Sequence, residues 1–160
     1  MEAVLSAGRP LTPTEEHFVD AGAEYLLERR LAFRKKDGQL MDAKFLDIGF
    51  PRFYDYDVLR GLSFISEWAR LRRKLVPRRA VGWIFESLDD RFPDARVRLE
   101  KEGLMSTETS LNPQKDGSWA RGDASTFPLL DAVRKVGSPC DPLTAQWEKV
   151  KKVLGARLDG

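Results

Sequence analysis

The chain has 160 residues and a formal net charge of +2, is 42% hydrophobic and 32% charged, and holds one cysteine. That composition suits a single globular domain with a sizeable core and excludes a disordered chain. It also excludes an intramolecular disulfide framework, and the small net charge does not by itself point to nucleic acid.

In chain order the elements read as helices joined by irregular loops. Residues 1–11 have the look of a flexible N-terminus. The second residue is acidic and the apolar stretch is short, so no signal peptide is expected. "TPTEEHFVDAGAEYLLERRLAF" opens on Thr12 or Thr14 as N-cap, with Glu15 and Glu16 at the positive end of the helix. Phe18, Ala21 (or Gly22), Tyr25 and Leu26 recur at helical spacing, which predicts the buried face. A long connection from Arg34 to Tyr54 contains Gly38, Gly49 and Pro51.

"DYDVLRGLSFISEWARLRRKL" is a second helix, with Val58, Leu62, Ile65 and Ala69 along one side. Pro77 stops it and suits the first turn of the next helix, "RRAVGWIFESL", whose stripe is Val81, Phe85 and Leu88. Residues 89–119 are turn-rich. "TFPLLDAVRKVG" is a short helix with Thr126 as N-cap and Gly137 as terminator. "CDPLTAQWEKVKKVLGARL" pairs a capping Asp141 with Pro142 and buries Leu143, Trp147, Val150 and Leu154. Alternating strand patterns are essentially missing, so the expected fold is all-α.

Four stretches occur in order: "AGAEYLLERRLAFRKKDG", "FLDIGFPRFYDYDVLRGLSFI", "QKDGSW" and "TFPLLDAVRKVG". Together they resemble the C-terminal half of the α/α-toroid proteins, the fold of squalene cyclases and protein prenyltransferase β-subunits. The likeness runs from about Val19 to Val136 and is strongest to the uncharacterised prokaryotic branch. It implies helical hairpins arranged as a partial α/α toroid over 12–136, followed by an amphipathic capping helix within 137–160. Gln114, Gly117 and Trp119 are similar to the cyclases' Gln-x-x-x-Gly-x-Trp motif, one residue shorter. Asp116-Gly117 is a turn signal on its own account. The resemblance adds a structural role, in which Trp119 roofs a joint between hairpins and Gln114 bonds a helix end.

The chemistry of those families does not carry over. The cyclases' Asp-x-Asp-Asp acid has as its nearest equivalent Asp55-Tyr56-Asp57-Val58, which lacks the last carboxylate. Asp55 or Asp57 ahead of "VLRGL" reads more simply as a helix N-cap. Prenyltransferases hold zinc through Asp, Cys and His. Here His17 and Cys140 stand alone at opposite ends of the chain, so no metal or other cofactor is expected. Cys140 has no base beside it, and Asp89-Asp90 next to Arg91 reads as solvated loop surface. Nucleophile elbows, phosphate-binding glycine loops and zinc-protease motifs do not occur.

Two surfaces remain as candidates. A groove at the start of the second long helix would be lined by Phe50, Arg52, Tyr54, Asp55, Asp57 and Arg60. Aromatic groups beside a few polar ones suit a small apolar ligand such as an isoprenoid. "RLRRKLVPRR" holds Arg70, Arg72, Arg73, Lys74, Arg78 and Arg79, six basic residues in ten, with Trp68 and Trp83 alongside as stacking platforms. A half-length arc would leave repeat edges open, to be covered by the last helix, a second copy or another protein. The expectation is thus a cytoplasmic, non-catalytic scaffold or binding module without a membrane span. Nucleic-acid binding through the basic cluster is the alternative, and a degenerate isoprenoid enzyme the second.

Overall fold

The computed structural model describes residues 2–5, 8–52, 55–102, 110–122 and 128–159. Four longer helices carry the core: α2 (Pro13–Glu28), α3 (Val58–Arg72), α4 (Arg78–Arg91) and α6 (Asp141–Leu154), with short α1 (Glu2–Leu5) and α5 (Pro128–Val133) beside them. The stretch expected to be flexible at 1–11 contains α1, whose Leu5 is buried in the core.

The fold is helix-rich but mixed, which corrects the all-α expectation. β1 (Gly49–Phe50) pairs in parallel with β2 (Lys101–Glu102), and β3 (Ser110–Pro113) pairs antiparallel with β4 (Trp119–Gly122). Neither pair leaves an alternating hydrophobic signature. The hairpin is made by turn chemistry: Gly117 adopts φ +82°, and the Gln114 amide donates to Ser118 O at 2.8 Å. The parallel pair is two residues long and continues a tertiary contact in which the Glu100 amide donates to Ile48 O at 2.8 Å. Only the folded chain brings those segments together.

α2 starts as expected, with a complete capping box between Thr12 and Glu15. Its packed face is rotated by one residue from the expected one. Val19 and Ala23 are fully buried, while Phe18 and Tyr25 are each 52% exposed. The cause is polar. Asp20 accepts from the Trp68 indole N–H at 2.7 Å and from Arg72 Nη2 at 3.0 Å, and Glu16 pairs with Arg72. These bonds turn the 16–19–20–23–27 side of α2 towards α3.

α3 is capped by Asp57, whose Oδ1 accepts from the Arg60 amide at 2.8 Å, and ends at Arg73 with φ +53°. A cap of this kind contributes about 1 kcal/mol. Val58, Leu62, Ile65 and Ala69 are all fully buried, as their spacing predicts. Pro77 is the residue before α4 and not its first-turn residue, and α4 continues three residues past Leu88. Asp89 and Asp90 therefore lie in the last turn of a helix, not in a solvated loop, and Asp89 is paired with Lys151.

α6 packs along α3 and buries Leu143, Trp147, Val150 and Leu154, with Trp147 against Phe85 at 5.4 Å between ring centroids. Its N-cap position is Cys140, with no side-chain cap bond, so Asp141 occupies the first turn instead of the cap. Thr126 lies outside the described residues. Gly137 is not the terminator of α5, which ends four residues earlier at Val133; it adopts φ +81° in a separate turn closed by the Ser138 amide donating to Lys135 O, and its own amide donates to Leu99 O at 2.7 Å.

Candidate functional site

The sequence segment ahead of α3 is drawn in by one buried ion pair. Arg52 Nε donates to Asp57 Oδ2 at 2.6 Å, and Arg52 Nη1 donates to Gln146 Oε1 of α6 at 2.6 Å. The two charged side chains are only 12% and 2% exposed. Burial pushes the Asp57 carboxyl above the ordinary aspartate range, against the pull of Arg52 and the Arg60 amide. Both Asp57 oxygens are thus engaged, one by the helix cap and one by Arg52.

Tyr56 is the other fixed point. Its hydroxyl donates to Leu31 O at 2.9 Å, and its ring meets Phe45 edge-on at 5.1 Å. Burial, with the Asp57 charge second, raises the phenol above its usual range. The approach depends on Gly61, because a Cβ there would stand 2.3 Å from the Tyr56 hydroxyl oxygen.

These contacts frame a cleft of about 440 Å³ lined by Asp42, Lys44, Phe45, Asp47, Asp55, Tyr56, Lys101 and Glu102. The carboxylates Asp42, Asp47, Asp55 and Glu102 outnumber the ammonium groups of Lys44 and Lys101. Asp42 caps the 3₁₀ turn Ala43–Phe45 by accepting from the Lys44 amide, and Lys101 Nζ donates to Lys44 O. Asp55 has a different standing. Its carbonyl accepts from Arg60 Nη1 at 3.0 Å, but its Oδ2 is buried without a hydrogen-bond partner. An orphaned carboxylate oxygen is costly unless something donates to it.

Of the groove residues expected from sequence, Arg52, Asp57 and Arg60 belong to the supporting bonds, and Phe50 packs against the core. Only Asp55 among the described ones lines the cleft, and Tyr54 lies outside the described residues. Phe45, Tyr56, Lys101 and Glu102 were missed. The "DYD" string places Tyr56 between two singled-out aspartates, which was the one local hint. Lys101 is distant in sequence and is delivered by the β1–β2 pairing.

The basic cluster falls into paired and unpaired cations. Arg70 pairs with Glu67, Arg72 with Glu16 and Asp20, and Arg78 with Glu86, whereas Arg73, Lys74 and Arg79 have no ion pair among the described residues. The expected stacking platforms are already used. Trp68 is 7% exposed and bonded to Asp20, and Trp83 donates to Arg30 O and meets Phe33 edge-on at 5.0 Å. A larger groove of about 690 Å³ runs between Leu5, Pro10, Leu71 and Lys149, but Arg9, Arg70, Arg72 and Lys149 there are each paired with a glutamate.

The Gln114–Gly117–Trp119 run forms the hairpin turn without roofing a joint. Trp119 is 65% exposed on β4, and Gln114 Nε2 donates to Asn112 O within the hairpin. His17 is exposed, and Cys140 is a buried thiol whose pKa is pushed up by burial, the reverse of an activated nucleophile. Among the described residues no group of three or more His, Cys, Asp or Glu side chains is placed to hold a metal ion. Likewise, no described helix is long and apolar enough to cross a membrane.

Compared with protein-family models, curated proteins and solved structures, the chain matches none.

Proposed function

We propose that the chain is a non-catalytic, helix-rich binding module, a toroid-like scaffold whose recognition site is the cleft beside the N-terminus of α3. Its ligand combines an apolar or aromatic body with a cationic or N–H-donating head. The body would lie against Phe45 and Tyr56, and the head would donate to Asp55. The observation that carries this reading is Asp55, a lining residue of that cleft whose carboxylate keeps one oxygen, Oδ2, without a hydrogen-bond partner. The surplus of carboxylates over ammonium groups supports a cationic head, since it biases the local potential towards cations. The bonds among Arg52, Asp57 and Gln146 hold the cleft wall in place, as a pre-formed ligand site requires.

The test is an amide-resolved NMR titration with benzamidine and phenethylamine as probes. Shifts should converge on Asp55, Tyr56 and Lys101, and Asp55→Asn should remove them while the spectrum elsewhere stays unchanged. Probe shifts scattered over the surface, or a response insensitive to Asp55→Asn, would sink the reading.

A further inference from the structure

The turn between α3 and α4 with the first two residues of α4, residues 73–79, reads RKLVPRR: four cations, no acid and one leucine. The turn is anchored. Val76 is fully buried, its amide donates to Arg157 O at 2.9 Å, and its carbonyl accepts from the Asp159 amide at 3.1 Å. One residue earlier, Leu75 is 65% exposed. A backbone pinned at Val76 cannot fold Leu75 inward without breaking those bonds, so the leucine is held out in water.

Its surroundings are positive. Arg73, Lys74 and Arg79 are exposed and make no ion pair among the described residues, and the Arg157 guanidinium lies against Lys74 O at 3.5 Å. Arg30 and Arg79 line one shallow cleft of about 510 Å³ with Leu27 and Pro77. Of the nearby acids, Glu86 is paired with Arg78 and Glu28 with Lys35, Asp20 is held by Arg72 and interacts with Lys74, and Asp159 accepts from the Arg78 amide, so cations remain in excess around the turn. An excess of cations around a fixed apolar knob matches the boundary between headgroups and acyl chains of an anionic bilayer. A single-stranded nucleic acid would be held by aromatic faces next to those cations, and Trp68 and Trp83 are already bonded to Asp20 and Arg30, while a duplex backbone offers nothing to the exposed Leu75.

We propose that the α3–α4 turn is a docking tip for an anionic lipid surface, with Leu75 entering the headgroup layer and Arg73, Lys74 and Arg79 meeting lipid phosphates and carboxylates. Three cations and one leucine give weak, reversible, salt-sensitive attachment, well short of a stable anchor.

Co-sedimentation of the full chain with vesicles tests this, comparing pure phosphatidylcholine with phosphatidylcholine containing about a third phosphatidylserine. Binding is expected only to the anionic vesicles and should vanish at high salt. Leu75→Ser should lower the partition coefficient by about tenfold, since it removes the inserted apolar group. Arg73→Glu with Arg79→Glu should abolish binding. All three positions are exposed, so circular dichroism should show each variant folded. Absence of binding to anionic vesicles at low salt would overturn the proposal. So would equal binding by Leu75→Ser, or tighter binding to a DNA or RNA duplex that ignores Leu75.

Discussion

Replacing Gly61 by alanine reports on the packing that holds Tyr56 at the cleft. On an exposed helix surface that change would stabilise by about 1 kcal/mol. Here the added Cβ would stand 2.3 Å from the Tyr56 hydroxyl oxygen, 3.1 Å from its Cζ and 3.2 Å from Leu31 Cδ2. The phenol has to retreat, and its 2.9 Å bond to Leu31 O goes with it. Overpacking costs about 1–3 kcal/mol and an orphaned carbonyl about 1–3 kcal/mol more, against the helical gain of about 1 kcal/mol. The expected net loss is about 3 kcal/mol, read by urea unfolding followed through tryptophan fluorescence. Tyr56→Phe alone should cost about 1 kcal/mol by losing the hydroxyl's bond. In that background Gly61→Ala meets no hydroxyl, so the double variant should be more stable than additivity predicts by about 1–2 kcal/mol. A stabilised Gly61→Ala protein, or strict additivity, would refute the reasoning.

Arg52→Ala should cost about 3–5 kcal/mol in denaturant unfolding, because it strands the nearly inaccessible Asp57 carboxylate. With the opposing guanidinium gone, burial raises the Asp57 carboxyl further. The deficit should therefore be smallest in acid, where Asp57 is protonated, and grow as pH rises through the raised value; a pH-independent deficit contradicts it. Glu15, held by Arg9 and then by Thr12, is lowered from 4.5 to about 2. Its contribution to stability is full above the ordinary glutamate value and is lost as pH falls from there through about 2, so its NMR carboxyl titration should lie well below that of other glutamates and move up in Arg9→Ala. A wild-type midpoint near 4.5 would count against the capping-box geometry.

The periodic stripes of α3, α4 and α6 were legible from sequence because each buries one face against neighbours that are apolar as well. Val58, Leu62, Ile65 and Ala69 all proved buried, as did Leu143, Trp147, Val150 and Leu154. The Thr12 cap and the turns at Gly117 and Gly137 were also readable, since cap and turn chemistry is local. The cleft was only half visible. Asp55 and Asp57 drew notice as carboxylates ahead of a helix, but which one caps α3 and which is left without a donor depends on Arg52 and on Gln146, ninety-four positions further along.

The amino-acid order by itself determined the capped starts of α2 and α3, which faces of three helices are apolar, and that the α3–α4 turn is basic. Those properties follow from side-chain spacing and local hydrogen bonding. Tertiary structure alone decided the rotation of α2, because Asp20 finds Trp68 and Arg72 only once α3 lies beside it. It also decided the β1–β2 pairing and the pairing of Arg72 with Glu16 and Asp20. Long-range bonds make those choices, and no local pattern records a partner that lies tens of residues away.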